Sequence, residues 1–480
     1  MSESSSYLAI DLGAESGRAI LGHLESGELK TEEVHRFANE PVLLGDTLTW
    51  DFPRLFREIV EGIRRAGERT AGRLAGIAVD SWGVDFGLLD ASGDLLANPV
   101  HYRDSRTRGM LDEVLALMGR EELYQVTGNQ FLELNTLVQL VALKKRTPEV
   151  LYVAEKMLLV ADLVSHFLCG EAVAELTLAS TTQLLDAETR QWSHQIYEVF
   201  GIPEKILPDI VEAGTVLAPL RRGIAEEAGL EESPPVIACA SHDTASAVAA
   251  VPVRGRGNWA YISSGTWSLV GVELEEAQLG DEALAHNFTN EVGAFGTVRF
   301  LRNVNGLWLL QECRRQWARE GREIDYAELA EIAASAPPAR SWIHPNSAQF
   351  FDSGDMPRRI QASCEESGQP VPSTRGEILR CAIESLARAY LEVLRAIEQV
   401  TDQRIDELHI VGGGSRQHLL NQLTANVLGV PVIAGPSEAA AVGNLLLQAK
   451  ATGEIADLEQ LRSVVASSFE LKTYRPREPR

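Results

Sequence analysis

At the midpoint of this 480-residue chain, Ser241-His242-Asp243-Thr244 sets a carboxylate beside an imidazole and between two hydroxyls. A carboxylate in that company is equipped to accept a proton. The plainer use of the same residues is that Ser241 or Asp243 caps a helix. A second chemically suggestive carboxylate is Asp11, in the run Ile10-Asp11-Leu12-Gly13-Ala14-Glu15-Ser16-Gly17-Arg18. It is an oxygen ligand suited to Mg²⁺, beside a small-residue turn whose amides can face phosphate oxygens. An ordinary turn would look the same.

These residues need elements to hold them. Pro234-Pro235 stop whatever precedes the apolar run Val236 to Cys239, which suits a buried strand, and Ala245 to Val251 contains no breaker and starts a helix. Asp243 then falls in the first helical turn, where the positive end of the macrodipole favours an ionised carboxylate. Strand-end turns of this kind are where ligand sites collect. Tyr7 to Leu24 reads as a hairpin, and Ala260 to Val272 repeats its plan of apolar strand, small turn and apolar strand. Two such hairpins about 250 residues apart predict two similar lobes, 1–250 and 251–480, each offering a turn to a cleft. The break falls at Pro252 to Gly257.

Other segments are read in the same way. Leu74 to Asp80 is a strand leading to Trp82 and Gly83, an indole face and bare backbone that would grip a polyol, or else a core tryptophan before a tight turn. Arg103 and Arg106 are open between contacting substrate and pairing with Asp104. Residues 135–149 and 155–169 carry helical spacing, Thr177 to Leu185 is a hydroxyl-rich turn, and Ser335 to Ser353 is a loop. Glu377 to Thr401 is a long amphipathic helix, read as a buried interlobe element. Asn303 and Gln311 flank the start of an apolar helix, and Leu408 to Gln417 is strand, glycine turn and helix start. Gly412-Gly413-Gly414 would let a flat base or ribose lie on the backbone. Neither the G-x-G-x-x-G nor the G-x-x-x-x-G-K-[ST] pattern is present.

A formal net charge of −24 works against non-specific binding of nucleic acid. The five cysteines, Cys169, Cys239, Cys313, Cys364 and Cys381, have no paired spacing and fit a reducing compartment. Met1 to Ser6 has no basic or apolar leader pattern, and no apolar run approaches a membrane span, so a cytoplasmic protein is expected.

The quoted motifs resemble those of the FGGY carbohydrate kinases: Ile10 to Arg18 and Ser264-Gly265-Thr266 its phosphate turns, Val411 to Gly414 its adenosine turn. Asp80-Ser81-Trp82-Gly83-Val84-Asp85-Phe86, Ala240 to Ala247, Ser263 to Leu269 and Gly306 to Gln311 look most like members acting on L-rhamnulose. The resemblance runs from Tyr7 to Tyr474. It implies an α/β fold of two ribonuclease-H/actin-like lobes (the ASKHA ATPase fold) with a cleft between them. It further implies transfer of the ATP γ-phosphoryl to the 1-hydroxyl of L-rhamnulose, in L-rhamnose degradation, by a monomer or homodimer.

Carried over by position, Asp243 is the base, with Gly83, His242, Thr244 and Asn303 holding the sugar. Ala14, Glu15, Ser16, Gly17, Arg18, Thr266, Gln311 and Gly413 contact ATP, and Asp11 places Mg²⁺. Ala14 stands where many sugar kinases of this fold carry Thr, which puts a hydroxyl contact there in doubt. The alternatives are a kinase for L-fuculose, D-xylulose or another ketose, and a non-enzymatic actin-like or sugar-sensing protein.

Overall fold

The computed structural model describes residues 5–477 except 254 and 256. The beginning of the chain, and Arg254 and Arg256 within the expected break, therefore lie outside the described residues. The contacts divide the chain into two compact units that alternate along the sequence. The first comprises 1–252, 273–300 and 439–468; the second comprises 253–272, 301–438 and 469–480.

In the first unit a six-stranded sheet has the order Thr215–Pro219, Pro235–Ala238, Gly76–Ser81, Ser5–Leu12, Ser16–Glu25, Glu28–Ala38. Its first hairpin is the one read from Tyr7 to Leu24, with Asp11 opposite Arg18 and Leu12 opposite Gly17. Ser5–Leu12 also runs parallel to Gly76–Ser81, which runs parallel to Pro235–Ala238, and Thr215–Pro219 closes the edge antiparallel. A central strand paired on both edges and covered on both faces is mostly apolar, and Tyr7 to Leu12 are all buried, Asp11 being the one charged residue among them. The helix Phe52–Arg69 lies on this sheet through Phe52, Leu55, Ile59, Ile63 and Ala66, the i, i+3, i+4, i+7 stripe of an amphipathic helix. Asp51 caps it by accepting the Arg54 amide.

In the second unit the hairpin of Trp259–Ser264 and Trp267–Leu274 is followed by Glu407–Val411 and Val432–Ala434, each parallel to its predecessor, and by antiparallel Lys472–Tyr474. The sense of these four pairings, antiparallel, parallel, parallel and antiparallel, matches that of the corresponding four in the first sheet, so the repeat read in the sequence is a repeat of topology. The long helix is Arg375–Thr401, two residues longer at its start than the periodicity gives, because Thr374 and Glu377 form a capping box. By its contacts it belongs to the second unit.

One segment departs from the sequence reading. Residues 155–169 carry helical spacing, but Lys156–Leu159 is a strand paired antiparallel with Phe86–Leu89, and only Val160–Cys169 is helix. A short apolar run has no period that separates a buried strand from a buried helix.

Within the first unit the short helix Asp243–Ala249 lies against Ala439–Ala451 at Gly443. A Cβ on Gly443 would overlap the Ser246 carbonyl oxygen, which is backbone and has nowhere to go. We expect Gly443→Ala to lower stability by ~1–3 kcal/mol, the usual cost of overpacking, read from the denaturant midpoint. An unchanged midpoint would contradict this contact.

Candidate active site

The three parallel strands of the first unit deliver their ends to one place. Asp11 is in register with Asp80, Leu12 with Ser81, and Ser81 bridges His242, its amide donating to the Ser241 carbonyl at 2.9 Å. Three carboxylates, Asp11, Asp80 and Asp243, thus fall within electrostatic reach of one another. Asp80 is fully buried; burial, reinforced by the charges of Asp11 and Asp243, pushes its carboxyl well above the ordinary range. Its Oδ2 accepts from Asn444 Nδ2 at 2.6 Å, while Oδ1 is buried with no partner. The sequence reading took Asp80 only as the end of a strand.

Asp243 opens the seven-residue helix as expected. Its carboxyl is nevertheless pushed up, not down: desolvation is the largest influence, Asp11 adds repulsion, and only His242 and hydrogen bonding from Thr244 oppose them. The dipole of so short a helix does not overcome the loss of water and the neighbouring anion. A carboxylate with a raised pKa is the stronger base.

The contacts of Asp243 gather on one oxygen. Oδ1 accepts from Thr244 Oγ1 at 3.1 Å and lies 3.6 Å from His242 Nε2. Its side chain is 31% exposed, enough for an alcohol to reach it. His242 is held from behind by a pair that sequence reasoning missed. Arg299 Nη2 stands 3.1 Å from His242 Nδ1 and 3.1 Å from Glu291 Oε2, which is itself 3.2 Å from Nδ1. Burial works against charge on Glu291, but Arg299 and His242 outweigh it and hold its carboxyl below the usual range. His242 Nδ1 thus lies between the Arg299 guanidinium and the Glu291 carboxylate, which leaves Nε2 on the side of Asp243.

The turn at residues 13–16 is closed by the Gly13 amide donating to the Ser16 carbonyl at 3.0 Å. Asn39, also missed, clamps it: its amide donates to Glu15 O at 3.0 Å and its Nδ2 to Gly13 O at 2.9 Å. Ala14, Glu15 and Ser16 are part-exposed on this turn, while Arg18 Nη2 pairs with Asp11 Oδ2 at 2.6 Å. The reason for Gly17 differs from the one the sequence suggests. A Cβ there would collide with the Phe37 ring, so that glycine answers to the core behind the turn.

Gly83 is similarly constrained, a Cβ lying 2.8 Å from Thr181 Oγ1. Between the two readings of Trp82 the structure chooses the core. It is buried, its ring lies 4.3 Å from that of Trp50, and its Nε1 donates to Asp85 Oδ2 at 3.0 Å. Arg106 is tied to Asp104 by its backbone amide, which donates to Oδ1 at 3.0 Å, while its Nη2 donates to Gln139 Oε1 at 2.7 Å.

The second unit assembles its own group of expected residues. The Gly306 and Trp308 amides donate to the Thr266 carbonyl at 3.1 and 3.2 Å, and Leu307 N to Gly265 O at 3.0 Å. This fastens the hairpin turn to the start of the helix Trp308–Arg319, so Thr266 and Gln311 share one region, with Asn303 on the strand Val298–Asn305 that leads into it. Gln311 Oε1 is buried without a hydrogen-bond partner, an acceptor awaiting a donor. The three glycines divide their duties. Gly412 has φ +78°, Gly414 is packed against Ser264, and Gly413 is exposed with nothing near its missing side chain.

Among the described residues no three His, Cys, Asp or Glu side chains are arranged to hold a metal ion. Mg²⁺ asks for fewer protein ligands, one or two carboxylates together with phosphates and water. Asp11 and the orphaned Oδ1 of Asp80 provide such a donor set.

Matching sheets, each ending in a small-residue turn, define a two-domain kinase-type fold. Solved structures agree. A gluconate kinase from Lactobacillus acidophilus aligns with TM-score 0.79 at 17% identity, over 99% of this chain and 94% of that one. A glycerol kinase from Plasmodium falciparum with ADP aligns with TM-score 0.77 at 14% identity, over 98% and 94%. Residues 6–249 match the N-terminal domain model of the FGGY family of carbohydrate kinases and residues 260–452 its C-terminal domain model. The chain belongs to the FGGY family of carbohydrate kinases. Curated relatives named rhamnulokinase include those of Bacteroides thetaiotaomicron, 43% identical over 98% of this chain and 96% of its own, and Enterococcus faecalis, 42% identical over 98% and 94%. Among the described residues, no helix is long and apolar enough to cross a membrane.

Proposed function

We propose that this enzyme transfers the γ-phosphoryl of ATP to the 1-hydroxyl of L-rhamnulose, giving L-rhamnulose 1-phosphate and ADP. The observation that carries the reading is the near-full-length identity to relatives named rhamnulokinase. The strand-end carboxylates supply the chemistry. Phosphoryl transfer proceeds through a loose transition state, so the protein's work is positioning and charge stabilisation. Asp243 Oδ2 takes the proton of the 1-hydroxyl as the O–P bond forms, while Thr244 and His242 steady Oδ1. Gly83, His242 and Asn303 orient the ketose. The turn from Ala14 to Arg18, with Thr266 and Gln311, holds the nucleotide, and Gly413 receives its adenosine. Bound Mg²⁺ neutralises phosphate charge, with Asp11 and Asp80 the residues that would hold it. We assign sugar handling chiefly to 1–250 and nucleotide binding to 251–480, in a cytoplasmic setting that suits five free cysteines.

Coupled ADP release across L-rhamnulose, L-fuculose and D-xylulose tests the substrate. Turnover highest on either of the last two would overturn L-rhamnulose, and ATP hydrolysis indifferent to any ketose would overturn the kinase itself.

The adenosine turn gives a separate prediction. Because the space at Gly413 is open, Gly413→Leu folds normally, and we expect the KM for ATP to rise by roughly 10-fold or more, about 1.4 kcal/mol, with the KM for ketose little changed. Equal effects on both substrates would count against that assignment.

A further inference from the structure

Glu175 is fully buried at the start of the four-residue helix Leu176–Ala179. Its Oε1 accepts the Thr177 amide at 3.0 Å. Its Oε2 accepts the Thr177 hydroxyl at 2.6 Å, the Leu178 amide at 3.1 Å and the Ser241 amide at 3.0 Å. Thr177 Oγ1, its proton committed to Glu175, accepts the His242 amide at 3.3 Å. The two amides immediately before Asp243 are thereby fastened to one carboxylate and its hydroxyl partner.

Capping a helix of one turn does not require this. Ser, Thr, Asp or Asn caps a helix from the surface, without burying an ionisable group. What needs the length and charge of a glutamate is the reach to Ser241. Three of the four donors around the carboxylate are backbone N–H groups that cannot turn round to accept, so the arrangement is built for the ionised form. The titratable neighbours are Asp162, whose Oδ1 accepts the Glu175 amide at 3.2 Å, and Cys239. Burial pushes both towards their neutral forms. The Glu175 carboxyl is itself pushed up by burial to about 7, against the hydrogen bonds from Thr177, Ser241 and Leu178.

We propose that Glu175 is a positioning residue for phosphoryl transfer, its carboxylate and the Thr177 hydroxyl it orients fixing the backbone from which His242 and Asp243 are aimed. The inference rests on the reading of Asp243 as the base.

The test uses the full chain, with steady-state kinetics for ATP and L-rhamnulose across the neutral pH range. In Glu175→Gln an NH₂ group meets the amides, and the turn shifts. We expect kcat to fall roughly 10- to 100-fold, the cost of misaiming a reacting group by a fraction of an ångström to an ångström, with the KM for ATP changed less than about twofold. The acid limb of the profile should also lose the ionisation near 7. Thr177→Val should lower kcat in the same direction, and Thr177→Ser, which restores the hydroxyl, should recover it.

A folded Glu175→Gln with kcat within about twofold of the parent and an unchanged pH profile would overturn the proposal. If Glu175→Gln does not fold, the Thr177 pair decides: equal kcat in the Val and Ser variants overturns it, and recovery by Ser supports it. Asp243→Asn separates the two readings. Full turnover in that variant defeats the base assignment, whereas its inactivity beside a fully active Glu175→Gln defeats the positioning role alone.

Discussion

Asp243→Asn should lower kcat for ketose phosphorylation by ~10²–10⁴, or about 3–5 kcal/mol of transition-state stabilisation, and leave ATP binding intact. The amide keeps the shape and can still accept from Thr244 and face His242, but it cannot take the hydroxyl proton. Because burial and Asp11 raise the Asp243 carboxyl, the acid limb of kcat/KM in the parent should lie above the ordinary carboxylate range. The same shift carries a sign for stability. A carboxyl whose folded pKa is raised contributes stability that is complete below its unfolded pKa and is lost as pH rises through the folded value. At neutral pH the Asn variant should therefore unfold at the same temperature as the parent or higher. Turnover near the parent's would refute the role, and a lower melting temperature at pH 7 would refute the electrostatic account.

Arg299→Met has a comparable expected effect, on stability. Arg299 is fully buried, its Nε donating to Val292 O at 3.1 Å and its Nη2 paired with Glu291. Removing it leaves Glu291 as a buried anion with only His242 for company, and we expect a loss of ~3–5 kcal/mol at pH 7. Glu291 is held below its usual range in the parent, so the pair's contribution is present above the unfolded pKa and lost as pH falls through the folded one. The deficit of the variant should accordingly shrink as pH is lowered and Glu291 becomes neutral. Adding Glu291→Gln should restore part of it. A loss under about 1 kcal/mol, or one independent of pH, would show the pair to be dispensable.

What the sequence could and could not disclose follows from the range of each interaction. The hairpins at 7–24 and 260–272 were legible because strand, turn and strand are contiguous, and the turn before Asp243 because prolines bound one side of it. Asp80 was not, since a carboxylate closing a buried strand looks like any polar strand end until its register with Asp11 is known. Glu291 and Arg299 sit in buried strands some 50 residues after His242, and no local pattern links them to it. The same holds for Glu175, 66 residues before Ser241. The packing constraint on Gly17 was not legible either, because its neighbour Phe37 lies on another strand.

The alternation of the two units along the chain has a consequence for biosynthesis. Gly443 against Ser246, and Asn444 against Asp80, are contacts internal to the first unit, yet the partners are separated by about 200 and 364 residues. A ribosome that has finished the first 252 residues has therefore not released a foldable product. The face of the central strands Ser5–Leu12 and Gly76–Ser81 and the small-residue face of Asp243–Ala249 wait uncovered until Ala439–Ala451 emerges. Nascent chains stalled before that helix should be protease-sensitive throughout, including the segments made first.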